Sequence, residues 1–260
     1  MNFERRGSGE PLLLLHGIGG ELCVWDPVLD RLAERFDVVA LDLPGFGKSP
    51  ALPEDVRPDP PALARAVAGL MDDLGIAAAH LAGNSLGGWV ALELGKTERA
   101  RSVTALCPAG LWGVPLRAGG ASNRWSTHEV ARMLRPVLPL LMLSPRAREL
   151  ALAHVVAHPE RVPRKAASRM VRSYARATAY EATSTAMRES YFRGSELIRV
   201  PLTLAFGQLD RLIRPVRLNV PGARSVVLPD CGHIPIWDDP ALVTDLITDT
   251  SGRAVARQAA

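Results

Sequence analysis

The chain has 260 residues, of which 47% are hydrophobic and 22% charged, a composition typical of a soluble globular protein with a sizeable core. No apolar run approaches the ~20 residues of a transmembrane helix, and the first residues lack the apolar stretch of a signal peptide. The three cysteines are odd in number and widely spaced, which argues against a disulfide framework. We therefore expect a cytoplasmic protein with reduced thiols and no membrane partner.

The net charge of +4 is distributed unevenly. Residues 111–200 carry 15 Arg and Lys against 6 Glu, a local charge of +9, so the rest of the chain stands at −5. Such a basic block is either a solvated face or a surface that attracts carboxylate-bearing substrates. The basic residues are scattered through apolar segments, without a compact run or interleaved aromatics, which argues against a nucleic-acid partner.

Strands and helices alternate through the first 110 residues, which predicts a mostly parallel sheet flanked by helices. The predicted elements of this part are strands at 2–6, 12–15, 37–41, 77–82 and 102–106, and helices at 25–35, 61–74 and 88–95. The segment 111–195 reads as helical hairpins, after which strands return at 200–207 and 225–229. We therefore expect a core domain of residues 1–110 and 196–260, with 111–195 inserted as a helical cap, and a frayed tail from Ser251.

The most informative motif is Gly-x-Ser-x-Gly at residues 83–87, between a predicted strand and a predicted helix. A strand, this motif and a helix form a nucleophile elbow, in which a tight turn exposes the serine at a helix N-terminus. Glycines two positions before and after Ser85 remove the side chains that would collide in the turn. We predict that Ser85 is a nucleophile and not part of an incidental glycine-rich turn.

A serine nucleophile needs a base and an acid that orients the base, and the last third of the chain offers both. Asp210 follows the predicted strand at 200–207, and His233 follows the predicted strand at 225–229. Both residues therefore lie past the C-terminal ends of strands, where open α/β sheets place their sites. We predict a catalytic triad of Ser85, His233 and Asp210.

Backbone donors for an oxyanion are predicted at two places. The strand at 12–15 runs directly into a glycine-rich loop, His-Gly-Ile-Gly-Gly at 16–20. In a nucleophile-elbow arrangement, one N–H comes from the residue after the nucleophile and the other from such a loop. We predict Leu86 and Ile18 in these roles, and an ordinary strand-to-helix turn is the alternative interpretation of the loop.

Several motifs occur in a fixed order along residues 11 to about 240. They are the loop at 16–20, Asp-Leu-Pro-Gly-Phe-Gly-Lys-Ser at 42–49, Gly-Asn-Ser-Leu-Gly-Gly at 83–88, Asp210 and Gly232-His233. In these residues the chain resembles the α/β-hydrolase superfamily, specifically its small soluble members with an inserted helical cap. The resemblance implies the α/β-hydrolase fold, catalytic Ser85, Asp210 and His233, and no metal or organic cofactor.

Two histidines and two further acids invite other roles. His154 and His158 are spaced i, i+4, as zinc ligands are, but no glutamate follows His154 directly and no third ligand is evident, so we expect no metal site. Asp238 and Asp239 are alternatives to Asp210 as the acid, but their position just ahead of the last predicted helix fits helix capping better.

These residues favour acyl transfer to water on a small-molecule ester or lactone, through an acyl-enzyme. Asn84 beside the serine is similar to hydrolases that cleave carbon–carbon bonds of ring-fission dienoates, but that group tends to have tryptophan after the catalytic histidine, where this chain has Ile234. Serine at position 85 argues against haloalkane dehalogenases and epoxide hydrolases, whose nucleophile is aspartate. A non-hydrolytic lyase and a binding protein on the same fold are the other interpretations, and we expect a monomer or homodimer.

Overall fold

The computed structural model describes residues 1–116, 127–215 and 223–258, with side chains up to Ala254. The strands in these ranges are β1 (Phe3–Arg6), β2 (Glu10–Leu15), β3 (Phe36–Leu41), β4 (Ala79–Asn84), β5 (Ala100–Leu106), β6 (Leu202–Gly207) and β7 (Arg224–Leu228). They form one sheet in the order β1-β3-β2-β4-β5-β6-β7. β1 runs antiparallel to β3, and the other neighbouring strands are parallel.

The helices of the described residues are α1 (Asp26–Ala33), α2 (Pro60–Asp73), α3 (Leu86–Gly95), α4 (Thr127–Met133), α5 (Leu138–Leu141), α6 (Pro145–Leu152), α7 (Arg164–Arg176), α8 (Tyr180–Arg188), α9 (Pro235–Asp238) and α10 (Pro240–Gln258). Short 3₁₀ turns occupy Leu22–Trp25, Pro159–Arg161 and Ser195–Leu197. The helices α4 to α8 lie between β5 and β6, in the segment 111–195 that we call the insertion. Crossing a bilayer takes more length and apolar character than any helix in the described ranges offers.

The predicted architecture, a mostly parallel sheet with flanking helices and an inserted helical segment, is confirmed. The ends of the predicted strands and helices before the insertion fall within about two residues of the observed ends, the usual uncertainty of helix boundaries. The frayed tail from Ser251 was a wrong prediction, because α10 continues to Gln258. Thr250, Ser251 and Ala254 are buried against the core, which holds this last stretch in place.

Alternate residues of the leucine run in β2 pack on opposite faces of the sheet. Leu13 and Leu15 join one apolar cluster with α2 and α3, whereas Leu12 and Leu14 join the other with α1 and α10. Each of the four is at most 1% exposed. Because helices cover both faces, the run is continuously apolar instead of alternating.

The helix α3 lies wholly inside the protein. Each of its residues is buried, and a helix that is apolar on all sides is stable only in such a position. Its one carboxylate, Glu93, accepts a hydrogen bond from Trp89 Nε1 at 3.0 Å and pairs with Lys96. The helix therefore presents its N-terminus, directly after Ser85, from a fixed position.

The insertion contacts loops at the C-terminal edge of the sheet. Ser173 Oγ in α7 donates to Gly19 O at 3.3 Å, and Ala179 N, just before α8, donates to Gly45 O at 3.4 Å. These loops are the predicted oxyanion loop after β2 and the loop after β3. The insertion therefore lies over the edge of the sheet where the predicted site residues converge.

Truncation of the β2 core is expected to destabilise the fold. Leu14 has no exposed surface, so Leu14→Ala should lower the free energy of unfolding by roughly 2–5 kcal/mol, measured by urea denaturation. The matched control is Leu150→Ala on α6, where the leucine is 76% exposed and a change within about 0.5 kcal/mol is expected. Equal losses in the two variants would contradict this assignment of the core.

Candidate active site

Ser85 lies in a strained turn between β4 and α3. Its backbone has φ 55° and ψ −114°, a conformation that few residues other than glycine adopt. Ser85 N donates to Leu106 O at 2.9 Å, and Ser85 O accepts from Trp89 N at 3.1 Å and Ala109 N at 3.0 Å. Bonds to β5, to α3 and to the loop after β5 therefore hold the turn in place.

The two glycines of the motif allow three backbone segments to meet at the turn. A Cβ on Gly83 would lie 2.1 Å from Gly87 O, and a Cβ on Gly87 would lie 2.1 Å from Leu15 O. Both distances are far below van der Waals contact. The glycines of the sequence motif are therefore required by the close packing of β2, β4 and α3 around Ser85.

His233 and Asp210 form a buried hydrogen-bonded pair. His233 Nδ1 lies 2.8 Å from Asp210 Oδ2, and Asp210 Oδ1 accepts from Leu212 N at 2.7 Å and Ile213 N at 3.0 Å. Burial alone would raise the pKa of Asp210, but the hydrogen bond and charge of His233 and the two N–H groups hold the pKa below its usual value. An ionised Asp210 accepts a hydrogen bond from Nδ1–H of His233. The other ring nitrogen, Nε2, is then free to accept a proton.

Asn84 connects the elbow to the loop that carries His233. Its Nδ2 donates to His233 O at 2.8 Å and to Leu106 O at 3.2 Å. The Asn84 amide is therefore used within the protein, next to Ser85. Ser85 Oγ has no hydrogen-bond partner among the described residues, so the structure brings His233 together with Asp210 but does not form the hydrogen bond between Ser85 and His233.

The predicted oxyanion loop passes directly over Ser85. A Cβ on Gly17 would lie 3.2 Å from Ser85 Cβ. Within the part of the chain that the structure describes, neither Ile18 N nor Leu86 N has a hydrogen-bond acceptor. Two amide protons predicted from the sequence as oxyanion donors are thus available near the serine.

His16 orients this loop, a role that the sequence motif did not indicate. Leu43 N donates to His16 Nε2 at 2.9 Å, so the ring proton is on Nδ1, which donates to Gly17 O at 2.7 Å. Gly20 N donates to the same carbonyl at 3.0 Å. Because a trans peptide is planar, the Ile18 N–H points opposite to the Gly17 carbonyl, away from His16. Burial lowers the pKa of His16, which favours this neutral form.

Asp42 organises the neighbouring loop at 42–49. Its carboxylate accepts from Leu22 N at 2.7 Å, Lys48 N at 2.9 Å and Asn2 Nδ2 at 2.7 Å. A Cβ on Gly47 would lie 2.3 Å from the Asp42 carboxyl carbon, and Gly47 has φ 54°, so glycine is needed there. Asp42 therefore ties the loop after β3 to the turn that follows the oxyanion loop.

Cys107 lies behind the Asp210–His233 pair and was missed in the sequence. It has φ 44°, and its Sγ accepts from Gly207 N at 3.4 Å and lies 3.7 Å from Gly232 O. Burial, with the charge of Asp210, raises the pKa of the Cys107 thiol well above its usual value. The available signal was the position of Cys107 directly after β5. The neighbouring strands β4 and β6 precede Ser85 and Asp210.

The side chains of Cys107, Asp210 and His233 form the only metal-type cluster among the described residues, with ligand atoms within 4.8 Å of one another. Metals bind the thiolate, and the raised thiol pKa disfavours that form. The ligand atoms of Asp210 and His233 are also hydrogen-bonded to each other. We therefore interpret the cluster as this hydrogen-bonded pair with a neighbouring thiol, and not as a metal site. His154 and His158 belong to no such cluster in the described ranges.

Asp238 joins the His233 loop to the insertion. Its carboxylate accepts from Gly232 N at 2.8 Å, from Ala157 N at 3.0 Å and from His158 N at 3.0 Å. Ile234 N also donates to Val155 O at 2.7 Å. The expected capping role belongs to Asp239, whose Oδ1 accepts from Leu242 N at 2.9 Å. Asp238 instead holds residues 155–158 against the loop that carries the imidazole.

Residues 12–246 match the alpha/beta hydrolase family. The chain belongs to the alpha/beta hydrolase family. This match confirms the resemblance drawn from the ordered motifs.

Individual members of the alpha/beta hydrolase family differ in their named activities. The chain is 32% identical over 250 residues to a dihydrolipoyllysine-residue acetyltransferase component of the acetoin cleaving system of Cupriavidus necator, covering 90% of this chain and 62% of that one. It is 32% identical over 198 residues to the epoxide hydrolase EphH of Mycobacterium tuberculosis, covering 68% and 88%. A thermophilic esterase of Thermogutta terrifontis superposes with a TM-score of 0.72 at 25% identity, covering 97% and 93%. The chain thus spans less than two thirds of the length of the acetyltransferase component.

The Asp238 contacts predict a measurable loss of stability in this alpha/beta hydrolase family member. Asp238→Asn replaces a carboxylate oxygen that accepts N–H groups with an NH₂ that cannot, so the free energy of unfolding should fall by about 1–3 kcal/mol in urea denaturation. The matched control is Asp239→Asn, which should change little because asparagine caps a helix as well as aspartate does. Similar behaviour of the two variants would show that the Asp238 contacts are unimportant.

The lowered pKa of His16 predicts a pH dependence of stability. Unfolded chains take up a proton near the usual value of 6.5, whereas folded His16 stays neutral there, so its stabilising contribution is complete above 6.5 and is lost as pH falls through the folded pKa. As pH falls through this range, the free energy of unfolding of the wild type should therefore drop by up to about 1.4 kcal/mol per pH unit more than that of His16→Gln. The measurement is urea denaturation of both proteins between pH 7.5 and pH 5. Parallel pH profiles would refute this neutral, buried state of His16.

Proposed function

We propose that this chain is a serine hydrolase that cleaves a carboxylic ester or lactone of a small molecule through an acyl-enzyme. In this proposal Ser85 is the nucleophile, His233 the general base and acid, and Asp210 the residue that orients His233. The single observation that carries the proposal is the buried 2.8 Å hydrogen bond from His233 Nδ1 to Asp210, on a loop joined to the elbow through Asn84. A buried carboxylate–imidazole pair, on a loop bonded to the residue before a strained serine, supports nucleophilic catalysis by that serine.

The oxyanion is proposed to be bound by Ile18 N–H and Leu86 N–H. Their lack of acceptors among the described residues, and the passage of Gly17 over Ser85 Cβ, support this assignment. Leu86 is also the first residue of α3, so the positive end of the helix dipole adds to the stabilisation of a developing negative charge. Fixed donors of this kind need no reorganisation when the charge forms.

The chemical steps follow from these roles. His233 Nε2 accepts the Ser85 proton as Oγ attacks the carbonyl carbon, and the C=O electron pair becomes the oxyanion. His233 returns that proton to the leaving alcohol as the C–O bond breaks, which leaves an acyl ester on Ser85. A water then attacks the acyl carbon, gives its proton to His233, and the acid leaves as Ser85 recovers its proton. The open Ser85 hydroxyl is consistent with this cycle, because catalytic hydrogen bonds often tighten only when substrate binds.

We propose that the insertion serves as a cap over residues 1–110 and 196–260 and limits the access of water to the acyl-enzyme. Its contacts with Gly19, Gly45 and Gly232, which belong to three loops that carry or adjoin the proposed site residues, support this role. The similar esterase supports an ester substrate. The similar epoxide hydrolase differs from the proposal in its named substrate, and a serine at the elbow favours an acyl-enzyme over the opening of an epoxide. The Asn84 amide is used within the protein, so it gives no support to carbon–carbon cleavage.

The proposal predicts covalent labelling and ester turnover that depend on Ser85. The wild type should react with a fluorophosphonate probe and hydrolyse p-nitrophenyl acetate and butyrate, and Ser85→Ala should lose labelling and at least about 10³-fold in kcat. The matched control is Ser102→Ala, because Ser102 is a buried serine on β5 whose hydroxyl bonds only to the His80 ring in the described contacts. Ser102→Ala should keep both labelling and turnover.

Two outcomes would redirect the assignment. A wild type with neither labelling nor turnover would favour a binding protein on the same fold and would overturn the proposal. Loss of absorbance from a ring-fission dienoate, at a higher kcat/KM than any ester or lactone, would favour carbon–carbon cleavage.

A further inference from the structure

The insertion exposes large apolar side chains along one short segment. They are Met133, Leu134, Val137, Leu140, Leu141 and Leu143, which we call the apolar ridge. Leu140 is 69% exposed, Met133 63% and Leu143 51%. Exposed leucines are normal when they stand alone, but a contiguous group marks a surface that contacts another apolar phase.

The inner side of the same segment is also apolar. Leu138 and Met142 are only 4% and 3% exposed, and their i, i+4 spacing places both on the side that faces the protein. Apolar residues therefore occupy both the inner and outer sides of α5. A helix with this pattern is ordinarily covered on all sides, and nothing in the described residues covers the ridge.

The charges around the ridge are mostly positive. Residues 127–150 contain four arginines against two glutamates, Glu129 and Glu149. Arg148 is used internally, because its Nη1 donates to Met142 O at 2.8 Å and to Leu143 O at 3.0 Å. Arg132, Arg135 and Arg146 are exposed and, within the described ranges, have no ion pair with a carboxylate. The ridge therefore has a border of net positive charge, on which three exposed arginines form no ion pair with a described carboxylate.

A groove of about 520 Å³ adjoins the ridge. One wall is apolar, and the other carries three exposed cations at the start and middle of α7. The lining residues are Pro139, Met142, Leu143, Arg164, Lys165, Ser168 and Arg172. The cations of this wall likewise form no ion pair with a described carboxylate, and Arg172 Nε donates to Ser168 O at 3.1 Å. Such a groove accommodates an anionic headgroup on one wall and hydrocarbon on the other.

We propose that the apolar ridge and the adjoining groove dock this protein on an anionic lipid bilayer. The leucines enter the boundary between headgroups and acyl chains, while the arginines and the lysine contact lipid phosphates. This inference is independent of the proposed ester hydrolysis, because it rests on exposed apolar residues and cations of the insertion and does not involve Ser85. It revises the expectation of no membrane partner, which rested on the absence of a spanning segment, because adsorption to a surface needs none.

A second copy of the chain is the main rival occupant. In a two-fold dimer the same patch meets itself, so each cation of the ridge and groove would face a surface of the same sign. That arrangement costs electrostatic energy in a desolvated contact, whereas an anionic bilayer neutralises the same cations. The charge pattern therefore favours lipid over self-association.

Vesicle co-sedimentation of the full chain tests the proposal. The protein should sediment with vesicles of equimolar phosphatidylcholine and phosphatidylglycerol, and much less with phosphatidylcholine alone. The double variant Leu140→Glu/Leu143→Glu should weaken binding roughly tenfold or more, since it removes apolar insertion and adds like charge to the lipid. The matched control is Leu197→Glu, a leucine that is 54% exposed outside the insertion, and it should bind as the wild type does.

A second pair of variants separates charge from apolar contact. Arg164→Gln/Lys165→Gln should reduce binding to the anionic vesicles and make it less sensitive to salt, with the thermal unfolding midpoint unchanged. The proposal is overturned if the wild type does not sediment with the anionic vesicles, or if Leu140→Glu/Leu143→Glu binds like Leu197→Glu. A dimer in light scattering that Leu140→Glu/Leu143→Glu dissociates, without vesicle binding, would assign the ridge to a second copy instead.

Discussion

The close approach of β2, β4 and α3 at Ser85 is the constraint on which the site depends. Neither Gly83 nor Gly87 has room for a Cβ, because backbone oxygens lie where that atom would be. The strained serine is kept in place by bonds from β5 and α3, and it sits where a helix begins. Apolar residues on both faces of the sheet fix these elements, so the core maintains the geometry of the turn.

Buried polar groups then connect the loops that surround this turn. His16 connects two loops, because its ring forms hydrogen bonds with Gly17 O and with Leu43 N. Asp42 connects the loop at 42–49 to Leu22, whose N–H donates to its carboxylate. Behind the acid–histidine pair, Cys107 bonds the backbone at the end of β6. Each group satisfies backbone N–H or C=O groups that would otherwise be buried without partners. The loops are therefore fixed relative to one another even though they are distant in sequence.

The sequence predicted the fold and the candidate residues because both follow local patterns. The leucines of β2 and the glycines around Ser85 are visible within a few positions, and Asp210 and His233 each follow a recognisable strand. The roles of His16, Cys107 and Asp238 were missed because their partners lie on other elements, and no local pattern identifies those partners. The apolar ridge was missed for a related reason, since composition does not distinguish a leucine that faces the core from one that faces solvent.

The contacts of the insertion attach it to the rest of the molecule on two sides. At residues 155–158, Ala157 N and His158 N donate to the Asp238 carboxylate at 3.0 Å, and Val155 O accepts from Ile234 N at 2.7 Å. At α7, Arg169 pairs with Glu21, directly after the glycine-rich loop at 16–20, and Ser173 Oγ donates to Gly19 O at 3.3 Å. Charged groups therefore hold the insertion both to the loop that carries His233 and to the chain beside the glycine-rich loop. A molecule that displaced the insertion from either side would have to break an ion pair or the hydrogen bonds of a carboxylate.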